Sequence, residues 1–338
     1  MVNLVWSVAQ NIPSGMWVSV AYGGGIYVAV SPGGEVIVSR DGNIWEESFV
    51  PEGMKKTWRA VAYGAGVFVV VGSYRDDTLI VSADGVSWAS FSTNSGEILF
   101  ETVFYANGRF VASGGTISSP FILTSINGIS WVKTLTQGSW LPFAFAFGNN
   151  RFVALSRNSN GYGVYVSSDA YTWTQRNIPQ NQGTSVAGWR DIAFGHGLFV
   201  AIAQYDTPRV IVSADGQQWQ TISDTTLFGA DVIAFGLGMF VASNGGSVYT
   251  SPDGVVWGGE QYLPGQADTD IIFADGMFVL VGSSGLQNSI MIGKPRNSKI
   301  YVKQNGAIYP VSNPIVKVNG ELKPCQTYVK QGGQIYQI

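Results

Sequence analysis

The sequence predicts an all-β chain: a seven-bladed β-propeller closed by its own N-terminal strand, followed by a small C-terminal β module. Three observations predict it. A two-part motif recurs with a period of roughly 40 to 45 residues, the spacing of four-stranded propeller blades. The last repeat lacks its second half, and text like that half opens the chain. After residue 294 the period changes to about 14 residues, which marks a second module at 295–338 beside a propeller at 1–294.

The first half of the motif reads aromatic-Gly-x-Gly-apolar-aromatic-Val, as in Tyr22-Gly23-Gly24-Gly25-Ile26-Tyr27-Val28. It returns from Tyr63, Tyr105, Phe147, Phe194, Phe235 and Phe273, seven copies in all. The second half reads Ser-x-Asp-Gly-x-x-Trp, as in Ser39 to Trp45. Its six copies end on Trp45, Trp88, Trp131, Trp173, Trp219 and Trp257. Gly accepts positive φ without steric cost, so both halves read as hairpin turns between apolar strands. Each unit therefore supplies four strands. The seventh, from about Thr269, stops after Met291-Ile292-Gly293. Val5-Trp6-Ser7 to Ile12-Pro13 matches the fourth-strand text Thr172-Trp173-Thr174 to Ile178-Pro179. Residues 4 to 10 are thus expected to pair with the strand at about 288 to 293 and remove an open sheet edge.

The Ser-x-Asp-Gly-x-x-Trp copies resemble those of the Asp-box propellers, a family that includes sialidases and photosystem assembly factors. The resemblance spans residues 4 to 293. It implies that Asp41, Asp84, Asn127, Asp169, Asp215 and Asp253 are structural and lie away from any active face. A direct reading agrees: a carboxylate in a turn accepts nearby backbone N–H groups, and the Trp anchors the fourth strand. Asn127 keeps an acceptor oxygen, whereas Ala170 in place of Gly predicts a different turn geometry. The carboxylates fall one per blade, so neither a metal nor another cofactor is expected.

Alternate connections of a four-stranded blade share a face, which separates the short repetitive turns from a variable face suited to recognition. That variable face carries the ligand-binding candidates Tyr74, Arg75, Trp140, Arg157, Asn160, Tyr162, Tyr205 and Arg209. Its aromatic, amide and guanidinium groups suit contact with a glycan or a protein; solvated turn loops are the bland alternative. At the start of the inner strands, equivalent positions hold Val18, Arg59, Glu101, Phe143, Arg190, Asp231 and Thr269. These are expected to ring the channel, with Arg59 facing Glu101 and Arg190 facing Asp231. Arg59 and Arg190 join the candidates as a polar site at the channel mouth.

The sialidase pattern calls for three Arg, a Tyr nucleophile with a Glu partner and an acid/base Asp. Only Arg59 and Arg190 stand in comparable inner positions, and no third Arg can be assigned. Glycoside hydrolysis needs two carboxyls at a defined separation, and Glu101 and Asp231 are the only ones on the ring. His196, the only His, reads as an exposed turn residue. An enzyme is therefore not expected, and a glycan-cleaving activity is the runner-up.

Tyr301-Val302-Lys303-Gln304-Asn305-Gly306, Ile315-Val316-Lys317-Val318-Asn319-Gly320 and Tyr328-Val329-Lys330-Gln331-Gly332-Gly333 each read as a β-hairpin. They are similar to short repeats near the C-termini of many tailed-phage tail proteins. The resemblance implies a virion tail protein, made in the host cytoplasm, joined to other tail proteins or to its own copies through this module. Its propeller would bind a host-surface glycan or protein, or be purely structural.

Composition fits that reading. Of 338 residues, 46% are hydrophobic and only 12% charged, with 43 Gly and a net charge of −3. Such a surface is wetted by turns and uncharged polar groups. No basic stripe marks a nucleic-acid partner, and no long apolar run marks membrane insertion. The N-terminus carries no secretory signal, and Cys325 is alone, so no intrachain disulfide is expected.

Overall fold

The computed structural model describes residues 2–55, 57–73, 77–96, 99–135, 140–158, 161–178, 188–204, 209–222, 226–282 and 290–296, together with the strands of residues 300–337. The chain falls into two compact units, Trp6–Gly293 and Val2–Val5 with Lys294–Ile338.

The first unit is a seven-bladed β-propeller of antiparallel four-stranded sheets. From the inside outward, blade 1 is Ser19–Gly23, Ile26–Val30, Val36–Ser39 and Glu46–Ser48. Blade 2 is Thr57–Gly64, Val67–Ser73, Thr78–Ser82 and Ala89–Ser92. Blade 3 is Phe100–Ala106, Arg109–Thr116, Ser119–Ser125 and Val132–Leu135, and blade 4 is Trp140–Gly148, Arg151–Asn158, Gly161–Ser167 and Thr174–Arg176. Blade 5 is Trp189–Gly195, Leu198–Ala203, Val210–Ser213 and Gln220–Ile222, and blade 6 is Val232–Gly236, Met239–Ser243, Gly245–Ser251 and Gly258–Ala267. Blade 7 joins Asp270–Ala274, Met277–Val281 and Ile290–Pro295 to the N-terminal strand Leu4–Val8 as its outer strand.

Closure follows the alternation of the N-terminal strand. Leu4 and Trp6 face inward and are buried, while Val5 and Ser7 are exposed. The Trp6 ring lies against Gly293, leaving no room for a Cβ there, and the Ala9 N–H donates to Ile290 O at 2.9 Å. The ring itself closes where blade 7 meets blade 1. Ser19 Oγ and the Val20 N–H both donate to Asp270 at 2.9 Å, and Tyr27 Oη donates to Ala274 O at 2.9 Å.

The core lies between blades. Each apolar cluster takes strands from two neighbours, for example Val28, Trp58, Phe68 and Trp88 from blades 1 and 2. The first glycine of each Gly-x-Gly motif explains its place beside an aromatic. It ends an inner strand and lies under the aromatic ring of the next blade. A Cβ added at Gly23, Gly64, Gly148, Gly195 or Gly236 would lie 1.9–2.2 Å from Tyr63, Tyr105, Phe194, Phe235 or Phe273 respectively. The turn itself has two consecutive residues at positive φ, such as His196 (50°) and Gly197 (75°), the two-residue hairpin that matches strand twist.

The Asp-bearing turns share one bonding scheme. In blade 2, Asp84 Oδ1 accepts the N–H groups of Val86 (2.9 Å) and Ser87 (2.7 Å) and the Ser82 hydroxyl (2.9 Å). Asp41, Asn127, Asp169, Asp215 and Asp253 accept the corresponding N–H pairs at 2.8–2.9 Å. These bonds favour the ionised form and hold Asp41, Asp84 and Asp215 below the usual carboxylate range. Ala170 corrects an expectation. Its φ of 64° matches Gly42 (69°) and Gly85 (71°), so the fourth turn keeps the common geometry. The bonds to Asp169 and Ser167 over-determine the turn and impose the left-handed conformation on a residue with a Cβ. In five of the six turns the closing Trp donates its Nε1–H to its own turn carbonyl, as Trp45 does to Gly42 O at 2.9 Å; Trp88 donates instead to Ser48 Oγ.

The second unit contains an antiparallel sheet in the order Ala307–Val311, Ile300–Gln304, Thr327–Gln331, Gln334–Gln337, plus the separate hairpin Val316–Val318 with Glu321–Lys323. The first and third repeats therefore meet at its centre, with Tyr301 opposite Tyr328. The Arg296 N–H donates to Asn3 O at 2.7 Å.

Candidate functional site

The inner strands of all seven blades enclose an axial cavity of about 680 Å³. All seven residues of the expected ring line it: Val18, Arg59, Glu101, Phe143, Arg190, Asp231 and Thr269. The backbone explains why. In blades 2 to 5 the pairing shifts register between Trp58 and Ala60, Phe100 and Thr102, Pro142 and Ala144, and Trp189 and Asp191. Arg59, Glu101, Phe143 and Arg190 are thus the extra residue of a β-bulge, a device that re-aims a side chain out of the sheet. The bulge needs a small partner opposite. Gly72 and Gly114 leave room there, since an added Cβ would lie 2.4 Å from Thr57 O and 1.9 Å from Leu99 O.

Of the two charge pairs expected, one forms. Arg190 Nε lies 3.4 Å from Asp231 Oδ1, and Arg190 also donates to Gln204 Oε1. Glu101 takes a different partner, Arg157, at 3.7 Å. Arg157 ends the second strand of blade 4 and stacks its guanidinium over Phe143 at 4.9 Å. It competes successfully for Glu101 because Phe143 holds it at the cavity wall. Arg59 is exposed and has no ion-pair or hydrogen-bond partner among the described residues. Arg157 is also the third arginine at the mouth that the inner-strand repeat did not reveal.

Two further carboxyls line the cavity one residue beyond the ring, Asp191 and Asp270. Asp191 accepts the N–H of Ile192 (2.8 Å) and, from blade 6, of Ile233 (2.9 Å). Asp270 spans blades 7 and 1 in the same way. Burial pushes Asp191 up to about 7 against the opposing pull of those N–H bonds, with the Asp270 charge adding to the rise. Burial also pushes Asp231 up to about 6, opposed by Arg190 and reinforced by Asp268. Asp270 is raised by burial as well. The inner strands offered a signal for both: an acid inside otherwise apolar text, in Trp189-Arg190-Asp191-Ile192 and Thr269-Asp270-Ile271.

Other expected contact residues are placed differently. Trp140 is buried, stacked on Tyr165 at 3.8 Å and packed beside Trp173, so it is a core residue and not a surface contact. Its blade extends the inner strand two residues further than its neighbours, which buries the ring. Arg209 is part-buried. It donates to Leu227 O at 3.2 Å and lies over Phe228 at 4.5 Å, bracing the crossing between blades 5 and 6. Tyr162 pairs with Arg157 through the backbone. Tyr74, Arg75, Asn160 and Tyr205 lie outside the described residues, as does the Tyr162 side chain. His196 is exposed on the opposite face, its Nε2 3.0 Å from Gly238 O. Among the described residues, no group of three or more His, Cys, Asp or Glu is arranged to hold a metal, and no helix is long and apolar enough to cross a membrane.

No protein-family model and no curated protein matches the chain. Solved structures do. YCF48 from Cyanidioschyzon merolae is 15% identical over 86% of this chain and 99% of its own, with a TM-score of 0.62. Virginiamycin B lyase from Staphylococcus aureus is 10% identical over 87% and 99%, with a TM-score of 0.67. The WD40 β-propeller domain of Doa1 is 13% identical over 88% and 99%, with a TM-score of 0.64. YCF48, a lyase and a WD40 domain share this architecture, so the likeness is one of fold alone.

Proposed function

We propose that the chain is a virion tail protein whose propeller is a non-enzymatic recognition module, engaging a host-surface glycan or protein at the channel mouth. One observation carries the reading: Arg59, Glu101, Arg157, Arg190 and Asp231 converge from five blades on one cavity, on bulges and strand ends that a rigid scaffold holds in place. Among the described residues Arg59 has no internal partner, and a guanidinium lining a cavity is a ready donor for an incoming carboxylate, carbonyl or hydroxyl. The Tyr-Val-Lys repeats support the tail assignment, with the second unit joining other tail proteins or further copies of the chain.

The test is binding of labelled full-length protein to intact host cells and to a glycan array. Saturable binding that falls at least tenfold in Arg59→Ala/Arg157→Ala is the expected result. A folded protein that binds no host surface is a purely structural virion component.

A second reading, glycan cleavage, draws on the raised carboxyls of Asp191 and Asp231 beside three arginines. Carboxyls that burial raises toward neutrality suit general acid catalysis. Release of reducing ends from polysaccharides, abolished by Asp231→Asn, is the outcome that would replace the first reading with this one.

A further inference from the structure

A second concavity lies far from the channel, at the perimeter between blades 4 and 5. It measures about 440 Å³ and is lined by Gln175, Arg176, Asn177, Ile178, Gln217, Gln218 and Trp219. The first four run along and past the outer strand of blade 4, and the last three belong to the Asp-bearing turn of blade 5.

The equivalent junction of blades 1 and 2 is bridged by a hydroxyl. There Ser48 stands where Arg176 stands here, three residues after the turn Trp. Its buried hydroxyl donates to Gly85 O at 2.7 Å and accepts the Trp88 Nε1–H at 2.9 Å. Between blades 4 and 5 the small hydroxyl is replaced by a long guanidinium. Trp219 donates its Nε1–H to its own Gly216 O at 2.9 Å, as Trp45, Trp131, Trp173 and Trp257 do in their turns, and a groove lies at this junction.

The groove holds more hydrogen-bonding capacity than the protein uses. Arg176 Nη2 donates to Gln217 Oε1 at 3.2 Å, which fixes that amide and leaves its NH2 group to donate outward. Arg176 Nε is buried with no hydrogen-bond partner. A buried donor in that state costs free energy until an acceptor reaches it. Gln175, Asn177 and Gln218 add amides that have no side-chain partner among the described residues. Ile178 and the edge of Trp219 supply an apolar floor.

We infer that this groove is a saccharide-binding site. Hydroxyl groups donate and accept at once, as carboxamides do, so a polyol is the ligand class that satisfies an amide rim on both sides. The C–H face of a sugar ring suits the Ile178–Trp219 floor. A lone arginine that needs an acceptor is met by a ring or hydroxyl oxygen. The volume falls at the small end of the ligand-pocket range, roughly 300–1,000 Å³, which suits a mono- or disaccharide unit.

Saturation-transfer NMR on the full chain tests this with glucose, galactose, mannose, N-acetylglucosamine and maltose as probes. At least one sugar is expected to receive saturation. Arg176→Ala and Gln217→Ala should each lower that transfer at least fivefold, while Glu46→Gln on blade 1 leaves it unchanged. Asn177→Ala/Gln218→Ala changes only exposed side chains and gives a second readout with the fold intact, checked by circular dichroism. No transfer to any of the five sugars overturns the assignment, as does transfer that survives both Arg176→Ala and the double variant. Host-cell binding read through the Arg59 variants is a separate measurement, so either site can fail without the other.

Discussion

Gly195→Ala tests how the blades are held to one another. The added Cβ would lie 2.1 Å from the Phe235 ring, where ordinary contact begins at 3.4 Å, so ring and strand must part by about 1.3 Å. Phe235 has little room to retreat, being packed against Phe240 at 4.8 Å and His196 at 4.9 Å. Overpacking of this kind costs about 1–3 kcal/mol, and loss of the Phe235–Phe240 edge contact adds ~1 kcal/mol. A loss of about 2–4 kcal/mol is expected in urea unfolding, read as a lower midpoint at constant slope. Gly195 is absent from the positive-φ residues, so the backbone itself tolerates alanine. In a Phe235→Ala background the same change should therefore cost nothing, or stabilise by about 0.4–1 kcal/mol through the unfolded chain. Equal cost in both backgrounds, or a single variant as stable as wild type, refutes the argument. Blade 3 provides a natural comparison: Ala106 occupies this position with Phe147 packed beside it.

Asp84→Ala should cost about 1 kcal/mol and Trp88→Ala about 3–5 kcal/mol; urea unfolding that ranks them the other way contradicts the division between turn and anchor. Stability should fall from pH 5 to pH 8. Asp191 and Asp231 bind their protons more tightly when folded, so their contribution is complete below about pH 4 and is lost as pH rises through about 6 and 7. Asp191 alone accounts for about 4 kcal/mol at most. Asp41, Asp84 and Asp215 act in the opposite sense, stabilising above the usual carboxylate range and losing that contribution in acid. Urea midpoints that rise between pH 5 and 8 would contradict the burial argument. Removing residues 1–10 takes away Trp6 and bares the edge of Ile290–Pro295. A lower melting temperature and association on size exclusion are expected, and an unchanged monomer is the contrary result.

The architecture was legible because each repeated residue answers a local steric demand. Gly195 and its equivalents make room for a ring, the Asp-bearing turns supply acceptors, and Trp6 repeats the text of Trp173. The ring at the cavity could be read for the same reason, since one position per blade is enough to place it. What the repeat could not reveal lies off its register. Arg157 comes from a second strand, and Asp191 and Asp270 sit one residue past the ring, yet both line the cavity. Trp140 reads as a loop aromatic until the longer inner strand of blade 4 is seen. Ala170 defied propensity because the bonds to Ser167 and Asp169 within its own turn hold the left-handed conformation despite the Cβ. The groove between blades 4 and 5 brings Arg176 of one blade against Gln217 of the next, a contact across a junction that no linear pattern displays.

The strand Leu4–Val8 precedes every other blade strand along the chain, and its partner Ile290–Pro295 follows all of them. During synthesis the opening segment must wait, unpaired, while six blades emerge from the ribosome. The circle is sealed only when nearly the whole propeller has been translated. Circular permutation breaks that dependence: a chain opened between Leu135 and Trp140, with Pro295 joined to Leu4 by a short linker in place of residues 296–338, would make blade 7 as one continuous hairpin array.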